Sequence, residues 1–173
     1  MSSETITTAL FLISAVIAAG VLINAVYPVV YNMAGTFSSS THESDVRMRT
    51  DFKIISTVAY TSGTATIWMK NIGSEQIAYD EIKRSDVFCG EVGKFDRIAY
   101  TDDSLGDETW TATFLNDDKY DLNGNGMWDP GETIKISVKT GLIPTTAGGK
   151  VYFQFALPTG VWRSTEFAAS SAS

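Results

Sequence analysis

Chemically reactive side chains are scarce in this sequence of 173 residues, which contains a single cysteine, Cys89, and a single histidine, His42. One cysteine excludes an intrachain disulfide and a CxxC metal site, and a lone histidine without an obvious partner argues against histidine-based nucleophilic catalysis. We expect Cys89 to be a buried, inert thiol and His42 to be a surface residue. Neither a phosphate-binding P-loop nor a G-x-S-x-G nucleophile motif occurs. The sequence therefore predicts no enzyme and no small-molecule substrate.

Basic residues are also few. The chain has 13 Lys and Arg against 20 Asp and Glu, which gives a formal net charge of −7 at pH 7. These basic residues are too scattered to form a stripe that binds phosphates, so we expect no nucleic-acid partner. A surplus of acid with many Ser and Thr is typical of a soluble head outside a cell.

Charge is absent altogether between Glu4 and His42. Within this stretch, residues 9–35 read ALFLISAVIAAGVLINAVYPVVYNMAG. At about 1.5 Å per residue, a helix over this segment exceeds the roughly 30 Å hydrocarbon core of a bilayer. The residues before it are acidic and its apolar run is longer than that of a cleaved secretory signal, so we expect the segment to be retained. The sequence predicts a helix of membrane-spanning length.

Small and polar residues within 9–35 bear on what this helix contacts. Small residues recur at helical spacing and allow two helices to approach closely; they are Ser14, Ala15, Ala18, Ala19 and Gly20. Asn24 and Asn32 place amides at apolar depth, and Pro28 between them is expected to kink the helix. Neighbouring helices would satisfy these amides, which predicts self-association through 9–35. Alternatively, Asn32 lies at the lipid headgroups and Asn24 is tolerated.

A polar segment follows the apolar run. We expect the helix to continue to about Arg49, with residues 38–41 (SSST) as a softer hinge. Arg47, Arg49 and Lys53 lie within the window of the positive-inside rule, which taken alone puts the following domain in the cytoplasm. The predicted domains are an N-terminal helix with polar linker over 1–50 and a β-rich domain over 51–173.

From Phe52 onward the hydrophobic period changes to two, which predicts β-strands. Alternation is clear within 65–70, 110–114, 134–139 and 151–155, and further strands are expected at 53–60, 76–82, 85–89, 95–100 and 161–167. Turns are expected at Ser62-Gly63, Gly73-Ser74, Gly90, Gly106, Gly148-Gly149 and Thr159-Gly160. The aromatic residues expected in the core are Trp68, Phe88, Phe95, Trp110, Phe114, Phe153, Phe155 and Trp162. Short alternating strands with Gly-rich turns indicate an antiparallel sandwich, hence an α+β chain overall.

One stretch carries specific chemistry. Residues 121–132 read DLNGNGMWDPGE and match the calcium-loop pattern D-x-[DN]-x-[DN]-G-x5-E. The predicted Ca²⁺ ligands are Asp121, Asn123 and Asn125, the carbonyl of Met127, then Asp129 and a bidentate Glu132, in loop order. Pro130 and the lack of flanking amphipathic helices argue against a true EF-hand, so we expect weak, structural binding on the order of 10⁻⁴–10⁻³ M. The alternative is an Asn-Gly turn without a cation.

Other acidic residues cluster in the loops before this stretch; they are Asp102, Asp103, Asp107, Glu108, Asp117 and Asp118. Paired carboxylates can hydrolyse glycosides, but nothing in the sequence fixes the separation that this chemistry requires. We expect solvated loop charge, or negative potential that attracts the cation.

Several segments together resemble a known family. They are TITTALFLISAVIAAGVLINAVYPVVY, RTDFKI, IWMKNIGS, SDVFCG and VYFQFALPTGVWRSTEF. The chain resembles the archaellum accessory proteins of the FlaG type, which are related to FlaF and to archaellins. The resemblance implies an extracellular immunoglobulin-like β-sandwich, a place in the stator or filament of the archaeal motility organelle, and FlaF-like and S-layer proteins as partners. Archaellins carry a basic residue and Gly before the apolar run for signal cleavage, and Met1-Ser2-Ser3-Glu4 departs from that pattern.

Three functions remain at this point. The first is a non-enzymatic archaellum component that multimerises through its helix and sits in the cell membrane or the filament. The second is a calcium-dependent surface adhesin or a pilin-like or archaellin-like filament subunit. The third is a membrane-anchored hydrolase with a structural Ca²⁺, which the absence of a nucleophile–base set disfavours.

Overall fold

The chain divides between Asp45 and Val46 into two compact units. The computed structural model describes residues 2–113, 121 and 123–171. The division lies slightly before the predicted boundary at residue 50, because the last helical turn belongs with the second unit. There the Thr50 amide and hydroxyl both donate to the carbonyl of Val46, at 2.9 and 2.7 Å.

Helix α1 spans Ser2–Arg49 and contains 48 residues. It ends where the sequence predicted, and it continues through Pro28 and through the SSST run at 38–41. Proline costs a helix one backbone hydrogen bond, and the apolar stretch on both sides of Pro28 keeps the remaining backbone groups bonded within the helix. By length and composition α1 is able to cross a membrane.

The second unit, residues 46–173, is the head, and it is rich in strands. Its strands are β1 Phe52–Tyr60, β2 Thr64–Asn71, β3 Ile77–Ala78, β4 Asp86–Glu91, β5 Lys94–Tyr100, β6 Thr109–Thr113, β7 Met127–Trp128, β8 Thr133–Lys139, β9 Lys150–Ala156 and β10 Trp162–Ser170. A short helix, α2, spans Tyr79–Lys83. A long N-terminal helix followed by a β-rich domain is thus confirmed.

Eight of these strands close into a barrel in the order β1-β10-β9-β4-β5-β6-β8-β2. Pairing is antiparallel except at two seams, where β1 runs parallel to β10 and β5 runs parallel to β6. Each seam is short, for example Ala59 with Ala169 and Tyr60 with Ser170. We predicted an antiparallel sandwich, whereas the structure has two antiparallel four-stranded halves joined by parallel seams. Closure shortens the unpaired edges that two separate sheets would expose.

Alternating side chains form the core as expected. Ile134, Ile136 and Val138 of β8 are fully buried, as are Phe153 and Phe155 of β9. Among the other aromatics expected inside, Trp110 is fully buried. Phe95 and Trp162 are 44% and 53% exposed, so their prediction was wrong, while Phe114 lies outside the described residues. Both exposed rings lie on the outward face of their strands, because Phe95 is an odd number of residues from the buried Ile98 in β5 and Trp162 is an odd number from the buried Ala169 in β10.

Two local predictions were wrong. Residues 76–82 were expected to form one strand, but β3 covers two residues and α2 follows it. Asp80 and Glu81 in the first turn and Lys83 in the last turn suit the helix dipole, and Ile82 provides a buried anchor. Gly90 was expected in a turn but lies within β4. An added Cβ there would stand 2.6 Å from the carbonyl oxygen of Lys94, so glycine allows close approach of β5.

Candidate functional site: the apolar helix and the 121–132 loop

The surface of α1 is apolar and uncovered within the chain. Its large apolar side chains from Ile6 to Phe37 are all exposed, and even Val26, the least exposed of them, has 47% of its surface accessible. Contiguous apolar surface of this extent is unfavourable in water. This part of α1 is therefore suited to contact with lipid or with other protein helices.

Threonine hydroxyls along α1 are satisfied inside the helix. Thr8 donates to the carbonyl of Glu4 at 2.8 Å, and Thr36 donates to the carbonyl of Asn32 at 2.9 Å. Such bonds to the preceding turn let a hydroxyl enter an apolar environment without an external partner. One bond of this kind does not satisfy the amides of Asn24 and Asn32, because a planar amide carries two donors as well as an acceptor.

The 121–132 loop connects β6 to β8, and β7 within it pairs with β3. The carboxylate of Asp121 organises its first half. One oxygen accepts the backbone N–H of Gly124 at 2.7 Å, and the other accepts that of Gly126 at 2.9 Å. Both glycines have φ near +70° (69° and 72°), a conformation that favours glycine. The two Asn-Gly pairs of the motif thus serve a tight turn that curls around Asp121.

Asp129 organises the second half of the loop. Its Oδ2 accepts the side-chain amides of Asn123 and Asn125, at 2.6 and 2.7 Å. Its backbone N–H donates to Oε2 of Glu132 at 3.0 Å. The structure therefore brings Asn123, Asn125, Asp129 and Glu132 together through hydrogen bonds. Asp121 binds the loop backbone, and Met127 lies in β7, where its N–H donates to Oδ1 of Asn125 at 2.8 Å.

Gln76 is a member of this cluster that sequence reasoning missed. Its side-chain amide donates to Oδ1 of Asp129 at 2.5 Å, from a position 53 residues earlier in the chain. The pairing of Ile77 with Trp128 in β3 and β7 brings Gln76 alongside the loop. The calcium-loop pattern is local, so nothing within it signals a residue that only tertiary pairing supplies.

The carboxylates of the loop are buried. Asp121, Asp129 and Glu132 retain only 6%, 7% and 5% of their surface. The donors that the structure shows for Asp121 and Asp129 are neutral amides. Within the described residues, no group of three or more His, Cys, Asp and Glu side chains is arranged to hold a metal ion. The side chains of Asn123 and Asn125 direct their nitrogens at Asp129, while their oxygens accept backbone N–H groups of the loop.

A buried asparagine fastens this loop to the barrel. The Asn71 side chain donates to the carbonyls of Trp128 and Glu75, both at 2.9 Å, and accepts the N–H of Gly73 at 2.9 Å. The indole N–H of Trp128 donates to the carbonyl of Glu132 at 2.9 Å. The Asn71 bonds tie Trp128 to the end of β2 and the segment after it, and the Trp128–Glu132 bond closes the second half of the loop on itself.

The other acidic residues serve the surface of the barrel. Asp102 accepts hydrogen bonds from Lys83 at 3.0 Å and from Tyr100 at 2.8 Å. The Lys83 hydrogen bond lowers the pKa of Asp102, and the same bond raises the pKa of Lys83. Burial, with hydrogen bonds to Tyr79 and Asp102, raises the pKa of Tyr100.

The remaining acidic and reactive residues are accounted for in the same way. Glu108 accepts the hydroxyl of Thr140 and the N–H of Gly141, while Asp117 and Asp118 lie outside the described residues. Cys89 is fully buried, and burial raises the pKa of its thiol to about 12. His42 is exposed on α1. The inert thiol and the surface histidine that the sequence predicted are both confirmed.

The sequence profile of the archaeal-type flagellin family matches residues 2–167, which covers both α1 and nearly all of the head. The chain belongs to the archaeal-type flagellin family. An uncharacterized protein of Archaeoglobus fulgidus is 28% identical over 144 residues, which cover 80% of this chain and 82% of the relative. The resemblance to archaellum proteins that the sequence indicated is thereby confirmed.

Solved structures share the fold. The archaellum periplasmic stator protein FlaG of Sulfolobus acidocaldarius is similar with a TM-score of 0.52 and 23% identity, over 68% of this chain and 99% of FlaG. A chain of the FlaF–FlaG stator complex from the same organism gives 0.52 and 22%, over 67% and 87%. The archaeal flagellum of Methanospirillum hungatei gives 0.55 and 17%, over 92% and 93%. The likeness to FlaG is about the size of the head, whereas the likeness to the flagellum requires much of α1 as well.

Proposed function

We propose that this protein is a non-enzymatic structural component of the archaellum. The observation that carries the proposal is the family match over residues 2–167, because it includes the apolar helix together with the head. The structural neighbours include an archaellum stator protein and an archaeal flagellum, which supports a structural role. The head combines a closed barrel with a buried core, and its sequence lacks a nucleophile–base set.

In this proposal α1 is an assembly element as well as an anchor. The uncovered apolar side chains of α1 require lipid or protein contact, and the small residues Ala15 and Ala19 permit close helix packing. In this proposal α1 lies in the cell membrane or in the core of the filament. The head lies outside the cell, as the family resemblance implies. Arg47, Arg49 and Lys53 taken alone favour the cytoplasm, but the acidic residues among them and the folded domain behind them weaken that signal.

The head provides the surface that contacts partner proteins. The FlaF–FlaG complex supports a FlaF-like partner, and the flagellum of Methanospirillum hungatei supports self-association. An S-layer protein is the further envelope contact proposed. The outer faces of the two antiparallel halves of the barrel are the surfaces proposed for these contacts.

The test is a gene deletion in the native host, scored for both swimming and surface attachment and complemented with the full-length chain. Loss of swimming with normal attachment supports the archaellum role. Loss of attachment alone would overturn it and favour the calcium-dependent adhesin. Electron microscopy of the purified chain after detergent removal adds a direct assay, since ordered filaments indicate filament-type assembly.

We further propose that the 121–132 loop binds Ca²⁺ as a structural ion. Three carboxylates less than one-tenth exposed share one short loop, and a divalent cation would compensate their charge better than neutral amides do. Half-turn rotations of the Asn123, Asn125 and Gln76 amides would present oxygen in place of nitrogen, since the two atoms occupy equivalent positions on a planar amide. Gln76 would then add a ligand from outside the motif.

Calcium titration of the full chain in detergent tests this proposal. Trp128 lies within the loop and is fully buried, so tryptophan fluorescence during thermal unfolding reports on the site. With a dissociation constant on the order of 10⁻⁴–10⁻³ M, about 10 mM Ca²⁺ stabilises the head by about 1–3 kcal/mol. Glu132→Gln abolishes the response and the exposed Glu166→Gln retains it. An unchanged melting temperature for the native chain at that concentration would reject the ion.

A further inference from the structure

The 121–132 loop contains two Asn-Gly sequences, Asn123-Gly124 and Asn125-Gly126, and the chain has no others. Asparagine followed by glycine is chemically labile, because no side chain shields the glycine nitrogen. That nitrogen attacks Cγ of the preceding asparagine, a new N–Cγ bond forms, and the Cγ–Nδ2 bond breaks. Ammonia leaves with the amide proton, and water then opens the cyclic imide to aspartate or isoaspartate.

We propose that Asn123 and Asn125 are latent deamidation sites, which the folded loop keeps intact by holding the reacting atoms on Asp121 and Asp129. Calcium binding is not required for this inference. The inference rests on the hydrogen bonds of the loop. In both reactions they hold the attacking glycine nitrogen, the side-chain oxygen of the asparagine and the side-chain nitrogen that would leave.

Asp121 holds both nucleophiles. The attacking nitrogens belong to Gly124 and Gly126, and their N–H groups donate to the two oxygens of the Asp121 carboxylate, at 2.7 and 2.9 Å. Attack requires loss of the amide proton. Removing it here would leave an amide anion facing a carboxylate that is 94% buried, and Coulomb repulsion opposes that arrangement. The Asp121 side chain thus protects both Asn-Gly sites against deamidation.

The side chains under attack are held as well. Asn123 accepts the N–H of Asn125 on Oδ1 at 3.1 Å, and Asn125 accepts the N–H of Met127 at 2.8 Å. Both Nδ2 groups, which would leave as ammonia, donate to Oδ2 of Asp129 at 2.6 and 2.7 Å. Ring closure has to rotate each side chain toward its own backbone, and this rotation breaks both bonds. The reaction therefore waits for local opening of the loop.

Deamidation would alter the loop permanently. Each event replaces a neutral amide that donates to Asp129 with a carboxylate that repels it, next to a side chain that is only 7% exposed. The repulsion favours the open loop, which exposes the second Asn-Gly sequence. The two sites are accordingly expected to react in succession, with the first event accelerating the second.

The experiment is peptide-mapping mass spectrometry on the full chain in detergent, incubated with a chelator at mildly alkaline pH. Since the chelator removes Ca²⁺, the result does not depend on the calcium proposal. The native chain is expected to deamidate at least about tenfold more slowly at both sites than the same chain in guanidinium, because reaction requires local opening. Equal rates in the folded and denatured chains would overturn the proposal.

Two variants identify the protecting residue. Asp121→Ala is expected to accelerate both sites, while Asp103→Ala, which removes an exposed loop carboxylate, leaves them unchanged. Asp121→Asn retains one acceptor oxygen, so it should accelerate one site more than the other. Circular dichroism and tryptophan fluorescence verify that each variant is folded; if Asp121→Ala is not, Asp121→Asn decides. A folded Asp121 variant with native rates at both sites would contradict the assignment.

Discussion

The side-chain amide of Asn71 donates a hydrogen bond to the backbone carbonyl of Trp128 at 2.9 Å, across 57 residues of sequence. Asn71 is fully buried, and its second donor and its acceptor are also engaged, by Glu75 and Gly73. The turn at residues 70–74 (KNIGS) and the 121–132 loop are therefore connected through one side chain. In the sequence, KNIGS was only part of a segment that resembles a family. The structure shows that its asparagine joins two loops by hydrogen bonds.

Replacing Asn71 tests that connection. Asn71→Leu has a similar volume but removes one buried and two partly buried hydrogen bonds, although the Gly73 N–H keeps the Asp51 carbonyl as a second acceptor. We therefore expect a loss of about 3 kcal/mol in the free energy of unfolding. Guanidinium unfolding followed by tryptophan fluorescence measures it, since all four tryptophans lie in the head. Gln154→Leu, at a half-buried position on β9, serves as the control and should cost much less. If Asn71→Leu lowers the free energy of unfolding by less than about 1 kcal/mol, water replaces the lost hydrogen bonds and this account is wrong.

Gly73 is expected to tolerate no side chain. A Cβ built there would lie 2.3 Å from the carbonyl oxygen of Arg49 and 2.6 Å from the amide nitrogen of Asp51, both of which are backbone atoms. Gly73→Ala should therefore destabilise the head by about 2–3 kcal/mol through forced backbone movement. Gly106→Ala is the matched control, because its nearest neighbour is a Thr109 side-chain atom at 3.7 Å. Similar melting temperatures for the two variants would refute this account of the turn.

Helix α1 provides a test of assembly. Ala15→Leu with Ala19→Leu should weaken self-association while membrane insertion persists, because larger side chains prevent close approach of helices. Ala9→Leu with Ala34→Leu adds the same volume about a quarter turn around the helix and should leave association intact. Chemical crosslinking in membranes measures association, and carbonate extraction measures insertion. Unchanged crosslinking in the first variant would make the helix a plain anchor.

Cys89 should report on unfolding of the barrel. The thiol is fully buried, and burial raises its pKa to about 12, so thiolate is scarce at neutral pH. We expect a thiol reagent to label the native head only as fast as the barrel opens, and to label it at once in guanidinium. Thr64→Cys, at a half-buried position where β2 begins, provides a comparison that should react faster in the folded chain. Rapid native labelling of Cys89 would mean that β4 opens locally.

The pH dependence of stability should carry a contribution from Asp102. Its pKa is lowered from 3.8 by the Lys83 hydrogen bond. A lowered carboxylate pKa stabilises the fold above 3.8, the value before the shift, and that contribution disappears as the pH falls through the folded-state pKa. Asp102→Asn should therefore flatten the acid limb of a plot of guanidinium midpoint against pH. Asp103→Asn, at the exposed neighbour, should leave the slope as it is in the native chain.

The local predictions succeeded where the pattern was regular over many residues. The charge-free run from Thr5 to Thr41 predicted α1, because it is apolar all round the helix over a membrane-spanning length. Alternation predicted β8 and β9, because it creates one apolar face that has to be covered. Prediction failed at 76–82, where two strand residues and one helical turn share a stretch too short for any period to be decisive.

The sequence by itself determined a long apolar helix, a β-rich acidic head and the family, since all of these depend on composition or on short spacing. Tertiary structure alone decided that the sheet closes through two parallel seams, that Gln76 reaches Asp129 and that Asn71 reaches Trp128. Contacts of this kind join residues more than fifty positions apart. Strand register selects them, and register is a property of the whole barrel rather than of any segment within it.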